Sequence, residues 1–403
     1  MIVLVLNCGS SSIKYQVFKM SDGCEMLAKG LLERIGLNES ILTHTPTGRD
    51  CFKVITDIPD HTIGINMVME VLCNPNHGVI KSINEIKAVG HRVVNGGENY
   101  KESVLIDNDV KKNIEACIEL APLHNPANLK GILSVEKLIP EVPQVAVFDT
   151  SFHQTMPDYA YMYAIPYEYY EKYKIRKYGY HGTSHKFVAY KAARILGKDI
   201  MNLKIITCHL GNGASITAVH NGKSVDTSMG FTPVDGLIMG TRTGEVDPGV
   251  LVYIADKEHL NVTGVNNMIN KKSGVFGISQ ISSDMRDLIT AARAGNKKAI
   301  LALNMYAYRV KKFIGSYMAV LNGTDVLVFT GGIGENAFSI RKMICSDLEG
   351  LGILFDDEAN DGSEGEDQII SKPESKVTVM SVITDEEYVI ASDTHSIVEK
   401  QTV

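Results

Sequence analysis

Arg92 and Arg242 each stand inside a glycine turn, in His91-Arg92-Val93-Val94-Asn95-Gly96-Gly97 and Gly240-Thr241-Arg242-Thr243-Gly244. Taken singly, each reads first as a salt-bridge arginine of the surface. A guanidinium held by a glycine-lined turn is nonetheless suited to bidentate binding of carboxylate or phosphoryl oxygens. Asp149 closes the apolar run Val145 to Phe148, at the carboxyl end of a strand, where α/β proteins usually meet ligands and Mg²⁺. Glu386 is a second hard oxygen donor, with helix capping as its plainer role. His181 and His185 are four apart in His181-Gly182-Thr183-Ser184-His185, but the glutamate of a zinc HExxH motif is absent and a glycine interrupts the spacing. Capping or core packing accounts for His185, whereas His181 on its turn can donate to a phosphoryl oxygen.

Three small-residue turns could receive phosphate. Asn7-Cys8-Gly9-Ser10-Ser11-Ser12 follows the apolar Ile2 to Leu6 and offers backbone N–H groups and hydroxyls. Alone, a plain β-turn explains it equally well. Its echo in Gly211-Asn212-Gly213-Ala214-Ser215 tips the balance, because a nucleotide between two such turns would be gripped from both sides. Phe329-Thr330-Gly331-Gly332-Ile333-Gly334-Glu335-Asn336 joins the strand Val326 to Val328 to a helix expected over Phe338 to Leu348, and its glycines let a ligand approach the backbone. It matches neither GxGxxG nor Walker A. Gly222-Lys223-Ser224 imitates the end of a Walker motif, but Thr217 takes the place of the required glycine and a hairpin explains the lysine.

Such turns need elements to hold them. Ile2 to Leu6 is a continuous β-branched run, the pattern of a strand buried on both faces, and Ile13, Tyr15 and Val17 alternate like a half-buried strand before the turn Ser21-Asp22-Gly23. The same strand, turn and strand return at Leu203 to Leu210 and Ile216 to His220, with Asn221-Gly222 turning into Lys223 to Met229. Two copies ahead of helical segments predict a duplicated α/β fold with a nucleotide cleft between the copies. Helices are expected after Pro126 with Asn125 as cap, over Ser184 to Leu196, over Ala299 to Leu321, and at the end, where Thr384 and Glu387 offer a capping box. Asn360 to Asp367 reads as an exposed loop.

A length of 403 residues suits two domains. The net charge of -7 argues against a general affinity for nucleic acid or anionic membrane, and no apolar run approaches a membrane span. Seven scattered cysteines without CxxC spacing point to reduced thiols and a cytoplasmic protein.

Together, NCGSSSIKYQVF, GHRVVNGGE, APLHNPANL, FDTSFHQTMP, YGYHGTSH, HLGNGASI, GKSVDTSMGFTPVDGLIMGTRTGEVDPG, FTGGIGEN and TDEEYVIASDT resemble the acetate kinase family over residues 2 to 394. The resemblance implies a superfamily with sugar kinases, Hsp70-type ATPases and actin, built from two RNase H-like domains. These would span 1–150, completed by about 386–403, and 151–385. By resemblance, Asn7, Ser10, Ser11 and Ser12 lie near the ATP phosphates with Lys14 close by. His209, Gly211, Asn212 and Gly213 form the second phosphate turn, and Gly331, Gly332, Ile333, Gly334 and Asn336 the adenosine-side turn. Arg92, Arg242 and His181 serve the transition state, and Asp149 and Glu386 serve Mg²⁺ and the reacting carboxylate, with Asn7 also on the metal. Arg92, Val94, Leu123, Tyr180 and Pro233 contact the acyl substrate, Mn²⁺ can replace Mg²⁺, and the protein is a homodimer. Asn95 stands where the family usually has histidine, Cys8 and Gly331 where it has alanine, and Tyr180 where it has phenylalanine. The last change bears on the polarity of the acyl pocket.

The expected reaction is reversible transfer of the ATP γ-phosphoryl group to acetate. Two other readings share the fold: a kinase for propionate, and a non-catalytic nucleotide switch of the actin or Hsp70 kind. A switch has no use for two arginines and a histidine around an acyl pocket.

Overall fold

The computed structural model describes every residue except those at positions 22, 123, 364 and 403, so Leu123 of the expected acyl pocket lies outside the described residues. The chain divides into two compact units, Met1–Ser151 with Asp385–Val403, and Phe152–Thr384.

In the first unit, β1 (Ile2–Cys8), β2 (Ser12–Met20), β3 (Cys24–Glu33), β4 (Ser40–Pro46), β5 (Phe52–Thr56), β6 (Ile86–Val93), β7 (Val104–Leu105) and β8 (Gln144–Phe148) form one mixed sheet. Their order is β5-β4-β3-β2-β1-β6-β8-β7. β1 runs antiparallel to β2 and parallel to β6, which is parallel to β8. The unbroken apolar run of β1 has a direct cause, since both faces are covered. Leu4 and Leu6 pack in a cluster with Ile65, Val68 and Leu72 of helix His61–Leu72 and Val135 of helix Asn125–Leu138. Val3 and Val5 face the other way and join Ala88, Val145 and Val147 with Ile390 and Ala391 of helix Glu386–Thr402.

The second unit repeats the plan. β9 (Lys204–Leu210), β10 (Ala214–His220), β11 (Lys223–Thr227), β12 (Val326–Thr330), β13 (Gln368–Ile369) and β14 (Thr378–Ser381) lie in the order β11-β10-β9-β12-β14-β13. β9 is antiparallel to β10 and parallel to β12, and β12 is parallel to β14. In each sheet a short edge strand, β7 or β13, closes antiparallel on the last parallel strand. The fold class is α/β, as the repeated strand-turn-strand pattern predicts. Asn221 and Gly222 both take positive φ, the two-residue turn that matches strand twist, and Lys223 is an ordinary hairpin residue.

Four local expectations need correction. Asn125 is the first residue of its helix and not its cap. Its side chain is used elsewhere, accepting from the Asn95 N–H and donating to the Asn95 and Ile114 carbonyls. The capping box of the last helix does not form: the Asp385 carboxylate accepts the Tyr388 N–H, Glu387 pairs with Lys14, and the Thr384 hydroxyl meets Ser184. An ion pair outcompetes a single capping bond for the Glu387 carboxylate. Gly331–Asn336 is itself a short helix and not a bare turn, followed by helix Phe338–Cys345. Asn360, expected in a loop, ends up fully buried in helix Asp357–Asp361 because Arg341 donates to both its side-chain and backbone oxygens.

No described helix is long and apolar enough to cross a membrane. Helices Pro248–Lys257 and Val262–Lys271 bury no residue, and Val252, Tyr253 and Val262 are exposed at 70%, 64% and 86%.

Candidate active site

In the first unit the carboxyl ends of the parallel strands collect the predicted residues. Asn7 lies near the end of β1, Arg92 near the end of β6, and Asp149 directly after β8. The Asp149 carboxylate, 2% exposed, accepts from Arg92 Nε at 3.0 Å and Nη2 at 2.5 Å, a bidentate pair. Arg92 Nη1 donates to Asn7 Oδ1 at 3.3 Å. Burial weighs against the Arg92 charge, but Asp149 and then Glu386 hold the guanidinium above its ordinary pKa. Burial also pushes the Glu386 carboxyl up to about 7, with Arg92 opposing and Asp149 and Glu387 adding to the rise. Lys14, half-exposed on β2 beside Asn7 in register, pairs with Glu387 at 2.5 Å.

The serine turn keeps its backbone close: the Gly9 N–H donates to the Ser12 carbonyl, and Ser10 and Ser11 are exposed. His61, unmarked in the sequence, meets the Gly9 carbonyl at 2.6 Å. Val94 is buried just past β6, its N–H held by Asn128, which also donates to the Cys8 carbonyl and so links this strand end to the serine turn. Asn95 is fully buried with Nδ2 unpartnered among the described residues, while its Oδ1 closes the turn to Gly97.

In the second unit His181 caps helix Gly182–Ile195 from a left-handed backbone, φ +57. Its ring stacks on His209 with centroids 4.2 Å apart, and Nδ1 lies 2.9 Å from Ser215 Oγ. His185 does not join it as a metal pair. Both of its ring nitrogens are engaged, with Thr207 and Ser215, and it is fully buried in the core. Arg242 Nη1 donates to the Pro233 carbonyl at 3.3 Å, and burial lowers its pKa. A Cβ placed on Gly213 would lie 3.4 Å from Arg242 Nη1 and 3.6 Å from His181 Nε2, so only a glycine leaves that point free to a ligand. The Tyr180 hydroxyl donates to the Phe231 carbonyl at 2.9 Å.

The two glycine turns of this unit line one cavity of about 760 Å³. Gly211 and Asn212 contribute from the β9–β10 turn, and Gly332, Ile333 and Asn336 from the helix after β12. Gly331 has φ +76, and a Cβ there would come within 2.8 Å of the Leu210 carbonyl. Two arrangements hold this helix. Glu335 accepts from the Gly331 and Thr384 N–H groups and the Thr330 hydroxyl, and buried Arg341 donates to the Gly334 and Glu335 carbonyls. Asp284, Arg286 and Phe338 are among the other residues that line the cavity. Sequence reasoning missed Asp284, Arg286 and Arg341: the first two sit in a segment without glycine punctuation, and Arg341 has the spacing of an ordinary helix-surface arginine.

The Acetokinase family model matches residues 2–392. An acetate kinase of Thermoanaerobacterium thermosaccharolyticum is 61% identical over 398 residues, covering 98% of this chain and 99% of its own. The crystal structure of Porphyromonas gingivalis acetate kinase superposes with a TM-score of 0.95 at 52% identity, covering 98% of this chain and 99% of that one. A propionate kinase structure from Francisella tularensis gives 0.90 at 45% identity, with 98% and 99% covered.

Proposed function

The chain belongs to the Acetokinase family, and from that premise we propose how its residues move a phosphoryl group between ATP and the carboxylate of acetate. The observation that carries the assignment is the convergence of Arg242 Nη1 and His181 Nε2 on one point beside the Gly213 backbone. A guanidinium and an imidazole brought this close to one glycine turn suit an oxyanion, and a transferring phosphoryl group presents three.

Acetate is already ionised near neutral pH, so no general base is required and catalysis is positioning plus charge stabilisation. Asp149 grips Arg92 in a fork, which fixes the plane of the guanidinium before substrate arrives; Arg92 then binds acetate and phosphoryl oxygens with its remaining N–H groups. Arg242 and His181 hold equatorial oxygens, the guanidinium by charge and the imidazole by a hydrogen bond. Val94 in the first unit, and Tyr180 and Pro233 in the second, are assigned to the methyl group of the acid. Because the Tyr180 hydroxyl donates to Phe231, it adds less polarity to an acyl pocket than its presence in the sequence suggests. The 760 Å³ cavity fits the adenosine moiety of ATP, with phosphates at Gly211 to Gly213, and Asn7, Ser10 to Ser12 and Lys14 are assigned to the phosphate chain.

Asn7, Asp149 and Glu386 offer carboxylate and amide oxygens as donors, which fits Mg²⁺, a hard cation that takes one or two carboxylates and completes its shell with phosphate and water. Glu386 and Asn7 would hold it, and when bound it neutralises phosphate charge. Mn²⁺ suits the same donors.

A propionate preference is the second reading, favoured by the Francisella tularensis neighbour. We assign the protein to the cytoplasm, supported by seven cysteines that are all free. A homodimer is supported by the two helices that bury no residue of their own, Pro248–Lys257 and Val262–Lys271. Light scattering at the monomer mass would count against it. The reaction is tested by trapping acyl phosphate with hydroxylamine across ATP, pyrophosphate, acetate, propionate and butyrate. Product with ATP and acetate is expected; a stronger signal from propionate would replace acetate as substrate, and no product from any acid would remove the kinase assignment.

A further inference from the structure

We infer that Thr207, His185 and Ser215 form a buried hydrogen-bond relay that fixes His181 as the tautomer carrying its proton on Nε2, making His181 a neutral donor to the transferred phosphoryl group. The inference rests on the role proposed for His181 and adds three positioning residues behind it.

The chain of contacts is continuous. Thr207 Oγ1 lies 2.7 Å from His185 Nδ1, His185 Nε2 lies 2.7 Å from Ser215 Oγ, and Ser215 Oγ lies 2.9 Å from His181 Nδ1. Thr207, His185 and Ser215 are all fully buried. Thr207 is central in β9 and Ser215 sits on β10, while His185 stands on the first turns of the helix that His181 caps. One β-hairpin and one helix start thus supply every member.

Proton positions follow from counting donors. A threonine or serine hydroxyl has one proton to donate, and a neutral imidazole has one N–H and one bare nitrogen. Among the described residues, the Thr207 hydroxyl has no partner besides His185. If His185 Nδ1 carried the proton, the Thr207 O–H would be a buried donor without an acceptor, a state folded proteins avoid. Thr207 therefore donates to Nδ1, and the His185 proton sits on Nε2. That N–H donates to Ser215 Oγ. Ser215, whose only side-chain partners among the described residues are the two histidines, then has its own proton left for His181 Nδ1. With Nδ1 accepting, a neutral His181 carries its proton on Nε2, on the ring edge that lies, like Arg242 Nη1, within 3.6 Å of where a Gly213 Cβ would stand.

The opposite polarity would leave a bare lone pair on Nε2, facing a phosphoryl oxygen of like charge. Burial supports the scheme, because it holds His185 well below the usual histidine range and so keeps it neutral with a single proton to place. The motif signal noted in the sequence, two histidines four apart, thus has a use that is neither zinc binding nor plain packing: both rings address one serine hydroxyl.

The test reads the tautomer directly. In protein labelled with ¹⁵N-histidine, without nucleotide or acid, the imidazole nitrogens of His181, assigned by their loss in His181→Ala, should show Nε2 protonated and Nδ1 bare. Ser215→Ala should give a mixture of tautomers, and Ser215→Thr, which keeps the hydroxyl, should restore the single form. Kinetically, Ser215→Ala should lower kcat about tenfold with KM within about twofold, the mark of a contact that matters mainly in the transition state, and Ser215→Thr should recover most of it. Thr207→Val, nearly isosteric, removes only the proton that sets the polarity and should also mix the tautomers. A wild-type His181 protonated on Nδ1 would overturn the inference, as would a Ser215→Ala variant with the wild-type tautomer and rate. A fixed Nε2–H tautomer combined with wild-type turnover in His181→Ala would instead sink the catalytic role of His181, since the relay is read independently of activity.

Discussion

The Arg92 guanidinium spends two N–H groups on Asp149 and one on Asn7, so its geometry is set before a substrate is present. Arg92→Ala and Arg242→Ala should therefore each lower kcat by roughly two to three orders of magnitude, the usual loss for one such donor, with thermal unfolding little changed for Arg242. Turnover close to wild type in either variant would remove that arginine from the mechanism. Val94→Ala should open room for one methylene, worth about 0.8 kcal/mol on burial, and raise kcat/KM for propionate relative to acetate; an unchanged ratio would detach Val94 from the pocket. Glu386 keeps its proton up to about pH 7 in the free protein because of burial. A Mg²⁺ ligand must be ionised, so proton and metal compete, and the apparent Mg²⁺ affinity should weaken as pH falls below about 7. Titration of Mg²⁺ binding between pH 6 and 8 checks this, and Glu386→Gln should bind more weakly with the pH dependence lost.

At the scale of elements, Arg341 is the side chain on which the nucleotide-side helix depends. It is fully buried and donates to the Gly334, Glu335 and Asn360 oxygens, so Arg341→Met should strand several carbonyls and cost about 3 kcal/mol or more. Denaturant unfolding would measure it, alongside a raised KM for ATP. Sequence reasoning could not have singled out this residue. Strands announce themselves by local pattern, and β1, β2, β9 and β10 were legible because an apolar run, a small-residue turn and an alternating run are each contained in about twenty residues. Arg92, Asp149, Arg242 and His181 were legible because glycine turns or a strand end flag them. Arg341 and Asn360 carry no such flag: each is polar, and only their meeting makes burial affordable. Asp284 and Phe338 reach one cavity from segments more than fifty positions apart, and nothing in either segment refers to the other. Lys14 shows a different gap, since its nearest partner, Glu387, belongs to the far end of the chain.

Over the whole molecule, stability should respond to acid through histidines held neutral. Burial lowers His91, in the first unit, and His153, in the second, to about 4, and holds His185 well below the usual histidine range. An unfolded histidine takes up a proton near pH 6.5, and His91 and His153 do not until about pH 4. Stability is thus complete above about pH 6.5 and is lost as pH falls from there toward 4, by up to about 3 kcal/mol per histidine. Unfolding midpoints at pH 8 and pH 5 would show the loss, and His153→Gln should reduce the difference between them. A flat profile would mean that these rings are not neutral in the folded protein.

The first unit is closed by helix Glu386–Thr402, whose Ile390 and Ala391 cover Val3, Val5, Ala88, Val145 and Val147. Everything from Phe152 to Thr384 is made between the sheet and its cover. At roughly 5 to 20 residues per second, the ribosome leaves that apolar face bare for on the order of ten to fifty seconds. During synthesis the second unit can therefore finish before the first, reversing their order in the chain.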